Sequence, residues 1–179
     1  DVNGDQDVFV KDLQTGILTR VSTASNGAQG SNHSYNAAIS ADGRYVAFES
    51  YASNLVAGDT NGHLDIFVKN LLTGATTRVS TSSNGSQASG SSYNAAISAN
   101  GRYVAFDSDA SNLVDGGDVN GATDIFVKDL QTGTMTRVST TSDGAQASGH
   151  SYNAAISADG RYVSFESTAS NLVAGDTNN

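Results

Sequence analysis

A block of about 58 residues occurs three times in this chain, and repeats of similar length build solenoids, propellers or arrays. One phrase, Ser-Tyr-Asn-Ala-Ala-Ile-Ser-Ala-(Asp/Asn)-Gly-Arg-Tyr-Val, begins at Ser34, Ser92 and Ser151. A second phrase, Asp-x-Asn-Gly-x-x-Asp-(Val/Ile)-Phe-Val-Lys, begins at Asp1, Asp59 and Asp118. Because the copies barely differ, a unique catalytic centre is not expected in any of them.

Each repeat contains four short runs that are predicted to be β-strands. In the middle copy they are residues 93–98, 103–108, 124–130 and 136–140. The runs alternate apolar and polar positions and are rich in β-branched and aromatic residues, which is typical of strands. Asn-Gly, Asp-Gly and Thr-Gly pairs separate the runs, and these residues tolerate the positive φ of tight turns. No run has a sustained helical period, so the repeat is predicted to be an all-β, four-stranded meander.

Four-stranded meanders arranged around an axis form a β-propeller. The segment Ile-Ser-Ala-Asp-Gly-Arg-Tyr-Val-Ala-Phe, followed by Asp-Ile-Phe-Val-Lys-Asp-Leu-Gln-Thr-Gly, resembles the WD-like repeat of TolB-type propellers. The resemblance covers the whole chain and implies a propeller fold, but it implies no specific activity. The chain departs from the family motif by having alanine in place of the usual proline at Ala41, Ala99 and Ala158. The glycine of the turn is retained, so the hairpin is still expected.

The repeats divide the chain into two complete blades and two half blades. Residues 1–28 supply strands three and four, 34–86 and 92–145 are complete blades, and 151–179 supply strands one and two. Three blade equivalents are fewer than the four to eight of known propellers, and an open arc exposes strand edges. Head-to-tail pairing of two chains predicts a six-bladed homodimer, and a trimer with nine blades is the alternative. The chain begins inside a motif, so it is also interpreted as a fragment of a longer array or a processed product.

The loop between strands two and three is the strongest candidate for a bound ion. Its carboxylate and amide oxygens, at positions 1, 3 and 7 around a glycine turn, resemble short calcium loops, and Ca²⁺ prefers such ligands. The predicted ligands are Asp1, Asn3, Asp7, Asp59, Asn61, Asp65, Asp118, Asn120 and Asp124. The alternative is an Asn-Gly turn capped by Asx side chains, which needs no metal.

Other polar residues recur in each repeat and are predicted to have structural roles. The carboxylates are expected to accept hydrogen bonds from a neighbouring backbone or arginine; they are Glu49, Asp107 and Glu166. The arginines are expected to donate hydrogen bonds at blade edges; they are Arg20, Arg44, Arg78, Arg102, Arg137 and Arg161. The histidines are interpreted as surface loop residues; they are His33, His63 and His150.

The alternation of apolar residues predicts which side chains are buried between the blades. The predicted core consists of Phe9, Ile39, Phe48, Phe67, Ile97, Phe106, Phe126, Ile156 and Phe165. The tyrosines that open the innermost strands are expected to pack between blades, or else to line a channel that binds a polar ligand; they are Tyr35, Tyr93 and Tyr152.

Composition limits the classes of function. The net charge of −9 disfavours a nucleic-acid partner, because an acidic chain repels phosphate backbones. The chain has no cysteine, which excludes disulfides and thiol chemistry, and no apolar stretch is long enough to span a membrane. The predicted function is a structural or interaction scaffold without enzymatic activity, in an extracellular or cell-envelope location. The alternative is a lectin-like propeller that binds a protein or glycan at one shallow site per blade.

Overall fold

The computed structural model describes residues 3–176, and β-strands account for its regular structure. In chain order the strands are β1 (Phe9–Lys11), β2 (Leu18–Arg20), β3 (Ser34–Ile39), β4 (Tyr45–Ser50), β5 (Asp65–Asn70), β6 (Thr76–Arg78), β7 (Ser92–Ile97), β8 (Tyr103–Ser108), β9 (Asp124–Asp129), β10 (Met135–Arg137), β11 (Ser151–Ile156) and β12 (Val163–Ser167). Within the described residues, no helix is both long and apolar enough to cross a membrane.

The strands form antiparallel meanders, as predicted from the repeat. β3-β4-β5-β6 and β7-β8-β9-β10 are four-stranded sheets, while β1-β2 and β11-β12 are two-stranded sheets. The sheets stack on one another, because β7 contacts β3 and β4, and β11 contacts β7 and β8. The all-β prediction with four-stranded blades is therefore confirmed. The sheets of residues 3–176 do not close into a ring.

The fourth strand of each blade is shorter than the sequence predicts. β10 ends at Arg137, whereas the predicted strand extends over residues 136–140. The N–H of Val138 still donates to the carbonyl of Ile125 across the blade, but the N–H of Thr140 donates to the carbonyl of Val138 two residues earlier. This local hydrogen bond bends the chain away from the sheet, so the strand ends early.

The innermost strand of each blade contains a β-bulge occupied by an asparagine. Asn36, Asn94 and Asn153 have φ values of 49°, 53° and 56°, the left-handed conformation that asparagine tolerates better than most residues. The pairing of β7 with β8 shifts register between Tyr93 and Ala96, on either side of Asn94. A bulge reorients the side chains beside it. The asparagine side chain consequently reaches a carboxylate on the neighbouring strand.

Pairs of phenylalanines form the centre of each complete blade. Phe48 lies opposite Phe67, and Phe106 lies opposite Phe126. Their ring centroids are 5.9 and 6.1 Å apart, and all four side chains are buried. The prediction that these four residues belong to the core is confirmed.

The prediction of burial is wrong for Phe9 and Ile39, and only partly right for three other residues. Phe9 is 47% exposed and Ile39 is 52% exposed. The three others, Ile97, Ile156 and Phe165, are half-buried. For Phe9, Ile39 and Phe165 the reason is the missing half of a terminal blade. Phe9 and Phe165 lack the opposite strand that covers their equivalents, and Ile39 faces a sheet that has no inner strands.

Candidate functional site: the contacts within and between blades

In the first complete blade, two acidic side chains of the loop between strands two and three lie beside an arginine. Arg78 Nη1 lies 3.0 Å from Asp59 Oδ1 and 3.5 Å from Asp65 Oδ2. The Ser80 hydroxyl donates to Asp65 Oδ1, and Gln87 Oε1 accepts a hydrogen bond from Arg78 Nη1 at 2.9 Å. Burial raises the pKa of both Asp59 and Asp65. The positive charge of the guanidinium opposes this effect and favours the ionised carboxylates.

The equivalent loops of the other repeats use the same residue types. Arg137 Nε lies 3.1 Å from Asp124 Oδ2. Gln146 Nε2 donates to Asp118 Oδ1 at 2.6 Å and to Asp124 Oδ2 at 2.8 Å. In the first half blade, Arg20 Nε lies 3.3 Å from the carboxylate of Asp7. The three arginines of strand four, which were predicted to donate at blade edges, are therefore partners of the predicted calcium ligands.

The asparagines of these loops are engaged in turns. The side-chain oxygen of Asn61 accepts from the N–H of His63 at 3.1 Å, and that of Asn120 accepts from the N–H of Ala122 at 2.7 Å. Their amide groups donate to the carbonyls of Ala88 and Ala147, at 3.2 and 2.6 Å. In the first repeat, Asn3 donates to the carbonyl of Gly30 at 2.9 Å. This is the geometry of the alternative interpretation, an Asx-capped turn.

An arginine lies beside carboxylates that are predicted to bind calcium. Asp1 lies outside the described residues, so the first loop is only partly described. Across residues 3–176, no group of three or more His, Cys, Asp or Glu side chains is placed to hold a metal ion. An incoming Ca²⁺ would share Asp59 and Asp65 with the Arg78 guanidinium, and like charges repel. Calcium binding stays a prediction, and the guanidinium is the cation that lies beside these carboxylates.

A buried carboxylate links the two complete blades; we call this contact the carboxylate bridge. Glu49 accepts from the Asn36 amide of its own blade, with N–O distances of 3.0 and 3.1 Å. It also accepts from the backbone N–H of Asn94 in the next blade at 2.6 Å. The side chain of Glu49 is only 2% exposed, and burial raises its pKa. The prediction of a neighbouring backbone donor is confirmed for Glu49.

The equivalent acid in the second complete blade, Asp107, has a shorter side chain than Glu49. Asp107 Oδ2 accepts from the Asn94 amide at 2.8 Å, but Oδ1 is buried without a hydrogen-bond partner. Burial raises the pKa of Asp107 to about 6, and the nearby Glu49 carboxylate adds to the rise. The backbone of Asn153 in the next blade acts in the opposite direction and lowers it. At the third position, Glu166 is exposed and is 3.3 Å from the Asn153 amide.

A buried lysine makes a second type of contact between blades; we call it the lysine contact. Lys69 Nζ donates to the carbonyls of Thr23 and Ala24 in the preceding blade, at 3.1 and 3.2 Å. Lys128 Nζ donates to the carbonyls of Thr81 and Ser82 at 2.9 and 3.0 Å. Both lysines are 6% exposed. Burial lowers their pKa.

Sequence reasoning missed the lysine contact, although a signal was present. The lysine ends the apolar run Phe-Val-Lys of strand three in every repeat. A lysine is rarely buried unless its ammonium group is satisfied, so a repeated position of this kind indicates a specific acceptor.

The histidines and tyrosines form small clusters at one end of the innermost strands. Nδ1 of His33 and of His150 accepts a backbone N–H at 3.0 Å, from Gln6 and Thr123 respectively. The two histidine rings stack on Tyr35 and Tyr152, with centroids 6.2 and 5.7 Å apart. His33 Nε2 is also 3.2 Å from Asp5 Oδ1. These contacts assign the two histidines a role in positioning the loop that precedes strand three.

Propeller proteins are among the solved structures that resemble this fold. The tricorn protease matches over 90% of this chain and 13% of its own length, with 17% identity and a TM-score of 0.55. A putative TolB from Agrobacterium tumefaciens matches over 90% of this chain and 50% of its own length, with 16% identity and a TM-score of 0.53. The chain therefore spans at most half of either protein.

A third similar structure is TolB from Acinetobacter baumannii, with 15% identity, a TM-score of 0.45, and coverage of 89% of this chain and 42% of that protein. No family model and no curated protein matches the sequence. The tricorn protease and the Agrobacterium TolB, both β-propeller proteins, support a TolB-like propeller fold for this chain. At this level of identity, the likeness concerns the fold alone.

Proposed function

We propose that this chain is a non-catalytic propeller module that acts as a scaffold for protein interaction. The observation that carries the proposal is the use of its ionisable groups in repeated contacts. The acids of the strand two to three loops meet arginines, Glu49 links two blades, and Lys69 and Lys128 bind carbonyls of the preceding blade. The arginine–carboxylate pairs and the lysine contact recur from blade to blade, as expected for groups that maintain an architecture rather than a single reaction centre.

The proposed partner is a second copy of the chain, which would complete a six-bladed ring; a trimer with nine blades is the alternative. The support is the distribution of exposed apolar side chains. Most of the large ones lie in the two half blades, namely Phe9, Leu13, Ile17, Leu18, Tyr152, Tyr162 and Val173. Exposed apolar surface of this kind marks interaction sites. The opposite half blade of a second copy is complementary to this surface, because the equivalent residues contact each other within the complete blades.

Light scattering at micromolar concentration tests the assembly. A mass of twice 18.3 kDa supports the six-bladed ring, and three times that mass supports nine blades. A monomeric mass would contradict closure by self-association.

A ligand-binding propeller is the second candidate function. One groove of about 350 Å³ lies between the two complete blades and is lined by Tyr45, Gly101, Arg102 and Leu130. Tyr103, Gly160 and Arg161 are the equivalents of the first three at the next boundary, so a closed ring would offer one shallow site per pair of blades. Binding to members of a glycan array would favour this candidate, and uniformly negative binding by the folded protein would favour the scaffold.

Calcium binding at the Asp-x-Asn-Gly-x-x-Asp loops is a secondary proposal. Its support is the set of carboxylate and amide oxygens, and the neighbouring guanidinium implies that the affinity is weak. We also propose an extracellular or cell-envelope location, which the resemblance to TolB-type repeats supports.

A further inference from the structure

Each half blade repeats residues that make interblade contacts in the complete blades, but here these residues lack their partners. Lys11 and Glu166 are exposed, although their equivalents Lys69 and Glu49 are buried. In the complete blade next to β11-β12, Val138 is half-buried, although its equivalent Val79 is fully buried. The complete blades therefore provide a template for what would cover the half blades.

We propose that β12 of one copy pairs with β1 of a second copy in one defined register, with Phe165 opposite Phe9. This inference rests on the proposed closure by a second copy and specifies its contacts. The template is the pairing of strand two with strand three, in which Phe48 lies opposite Phe67 and Phe106 lies opposite Phe126. The same register places Ser164 opposite Val10 of the second copy.

The lysine contact fixes which blade lies next to β1. Lys69 and Lys128 donate to the two carbonyls that follow strand four of the preceding blade. The equivalent acceptors for Lys11 are the carbonyls of Thr140 and Thr141 of the copy that supplies β12. Lys11 is exposed within one copy, so the second copy offers it the buried environment of the other two lysines.

The carboxylate bridge gives the reciprocal contact. Glu49 accepts from the backbone N–H of Asn94 in the following blade. The equivalent donor for Glu166 is the N–H of Asn36 of the copy that supplies β1. Asn36 already has the left-handed conformation of Asn94, with φ of 49° and 53° respectively. The bridge can therefore form without a change in this backbone conformation.

Tyrosine packing supports the same arrangement. The Tyr45 ring lies so close to Gly101 that a Cβ there would be 2.2 Å from it, and Tyr103 lies equally close to Gly160. Tyr162, the third equivalent, is 61% exposed. Its glycine counterpart is Gly43 of the second copy. A Cβ added at Gly43 would have no neighbour within 4 Å. Gly43 therefore has the open space that the Tyr162 ring would occupy.

A disulfide in the full chain tests the register, because the sequence has no cysteine of its own. The double variant Val10→Cys/Ser164→Cys places two thiols directly opposite each other, within the range that a disulfide can bridge. The control Val10→Cys/Tyr162→Cys offers only a diagonal pair on the same face, which is too far apart. We expect oxidation to yield a covalent dimer with the first pair and not with the second.

Two results would overturn the register. One is a cross-link from the control pair, and the other is the absence of a cross-link in the Val10→Cys/Ser164→Cys variant while light scattering still reports a dimer. Each of them leaves the proposed closure intact. A monomeric wild-type chain would instead remove the proposed closure itself, so the two failures are distinguishable.

The lysine contact has a separate test that requires no cross-link. Lys11→Met should raise the dimer dissociation constant at least tenfold, because it removes a charged donor from buried carbonyls. Arg102→Met is the matched control, since Arg102 carries the same charge but lies between the two complete blades of one copy. Equal dissociation constants for the Lys11→Met, Arg102→Met and wild-type chains would overturn the assignment of Lys11.

Discussion

The backbone N–H of Asn94 donates to Glu49 Oε1 at 2.6 Å across the boundary between two blades. The side-chain amide of Asn94 meanwhile donates to Asp107 within its own blade at 2.8 Å. One residue in a left-handed conformation thus connects two buried carboxylates. Because the motif recurs, these contacts define how one blade is placed on the next.

Replacement of Asn94 separates its backbone role from its side-chain role. Asn94→Ala removes the amide donor and also strains the positive φ, so we expect a loss of roughly 2–4 kcal/mol of unfolding free energy. Asn94→Gly loses the donor but tolerates the backbone, and it should be less destabilising. Urea unfolding monitored by circular dichroism measures both variants. Equal unfolding free energies for the two variants would show that the positive φ of residue 94 does not add to the cost of the alanine substitution.

The stability of the protein should depend on the ionisation of Asp107. Its pKa in the folded protein is raised from 3.8 to about 6, so the folded state binds this proton more tightly than the unfolded state. Raising the pH from about 4 to 7 therefore destabilises the fold through this group, by roughly 2–3 kcal/mol at most.

Asp107→Asn removes this contribution, because an amide does not ionise. We expect the stability of the variant relative to the wild type to increase between pH 4 and 7. Other buried acids with raised pKa values that do not interact with Asp107, such as Asp59 and Asp65, titrate in both proteins and cancel in the comparison. A constant difference in unfolding free energy across this pH range would contradict the assignment.

The phenylalanine pairs distinguish the core of a blade from the open ends. Phe106 is fully buried, so Phe106→Ala should cost about 3–5 kcal/mol. Phe165→Ala should cost less within one chain, since Phe165 is half-buried there, but it should weaken the dimer. Chemical unfolding and light scattering on the same samples measure the two effects. A Phe165→Ala chain that dimerises like the wild type would argue against its burial in the interface.

Arginine and calcium are alternative counter-ions for the loop carboxylates. With Arg78 beside Asp59 and Asp65, we expect the melting temperature of the wild type to change little when calcium is replaced by a chelator. Arg78→Gln leaves the buried carboxylates without a counter-ion, which should cost roughly 3–5 kcal/mol. Calcium should restore part of that loss. A wild-type melting temperature that rises strongly with calcium would instead support calcium loops in the native protein.

The sequence alone determined the type and order of the strands. Its turns contain Gly, Asn and Asp where positive φ is needed, and its apolar residues alternate with the period of a strand. Both signals are local, so they predicted four-stranded meanders and the burial of Phe48 and Phe106, but not which phenylalanine lies opposite each of them. The early end of β10 was missed because it depends on a short-range hydrogen bond of Thr140 that no residue pattern marks.

Only the tertiary structure decided which charges meet and which apolar residues remain exposed. Asp59 and Arg78 are far apart in the sequence, and Glu49 meets a backbone N–H of another blade. The exposure of Phe9 and Ile39 likewise depends on strands that the described part of the chain does not place beside them. Residue type and spacing describe a single blade, whereas burial and ion pairing depend on the neighbouring blade, whose position no local pattern specifies.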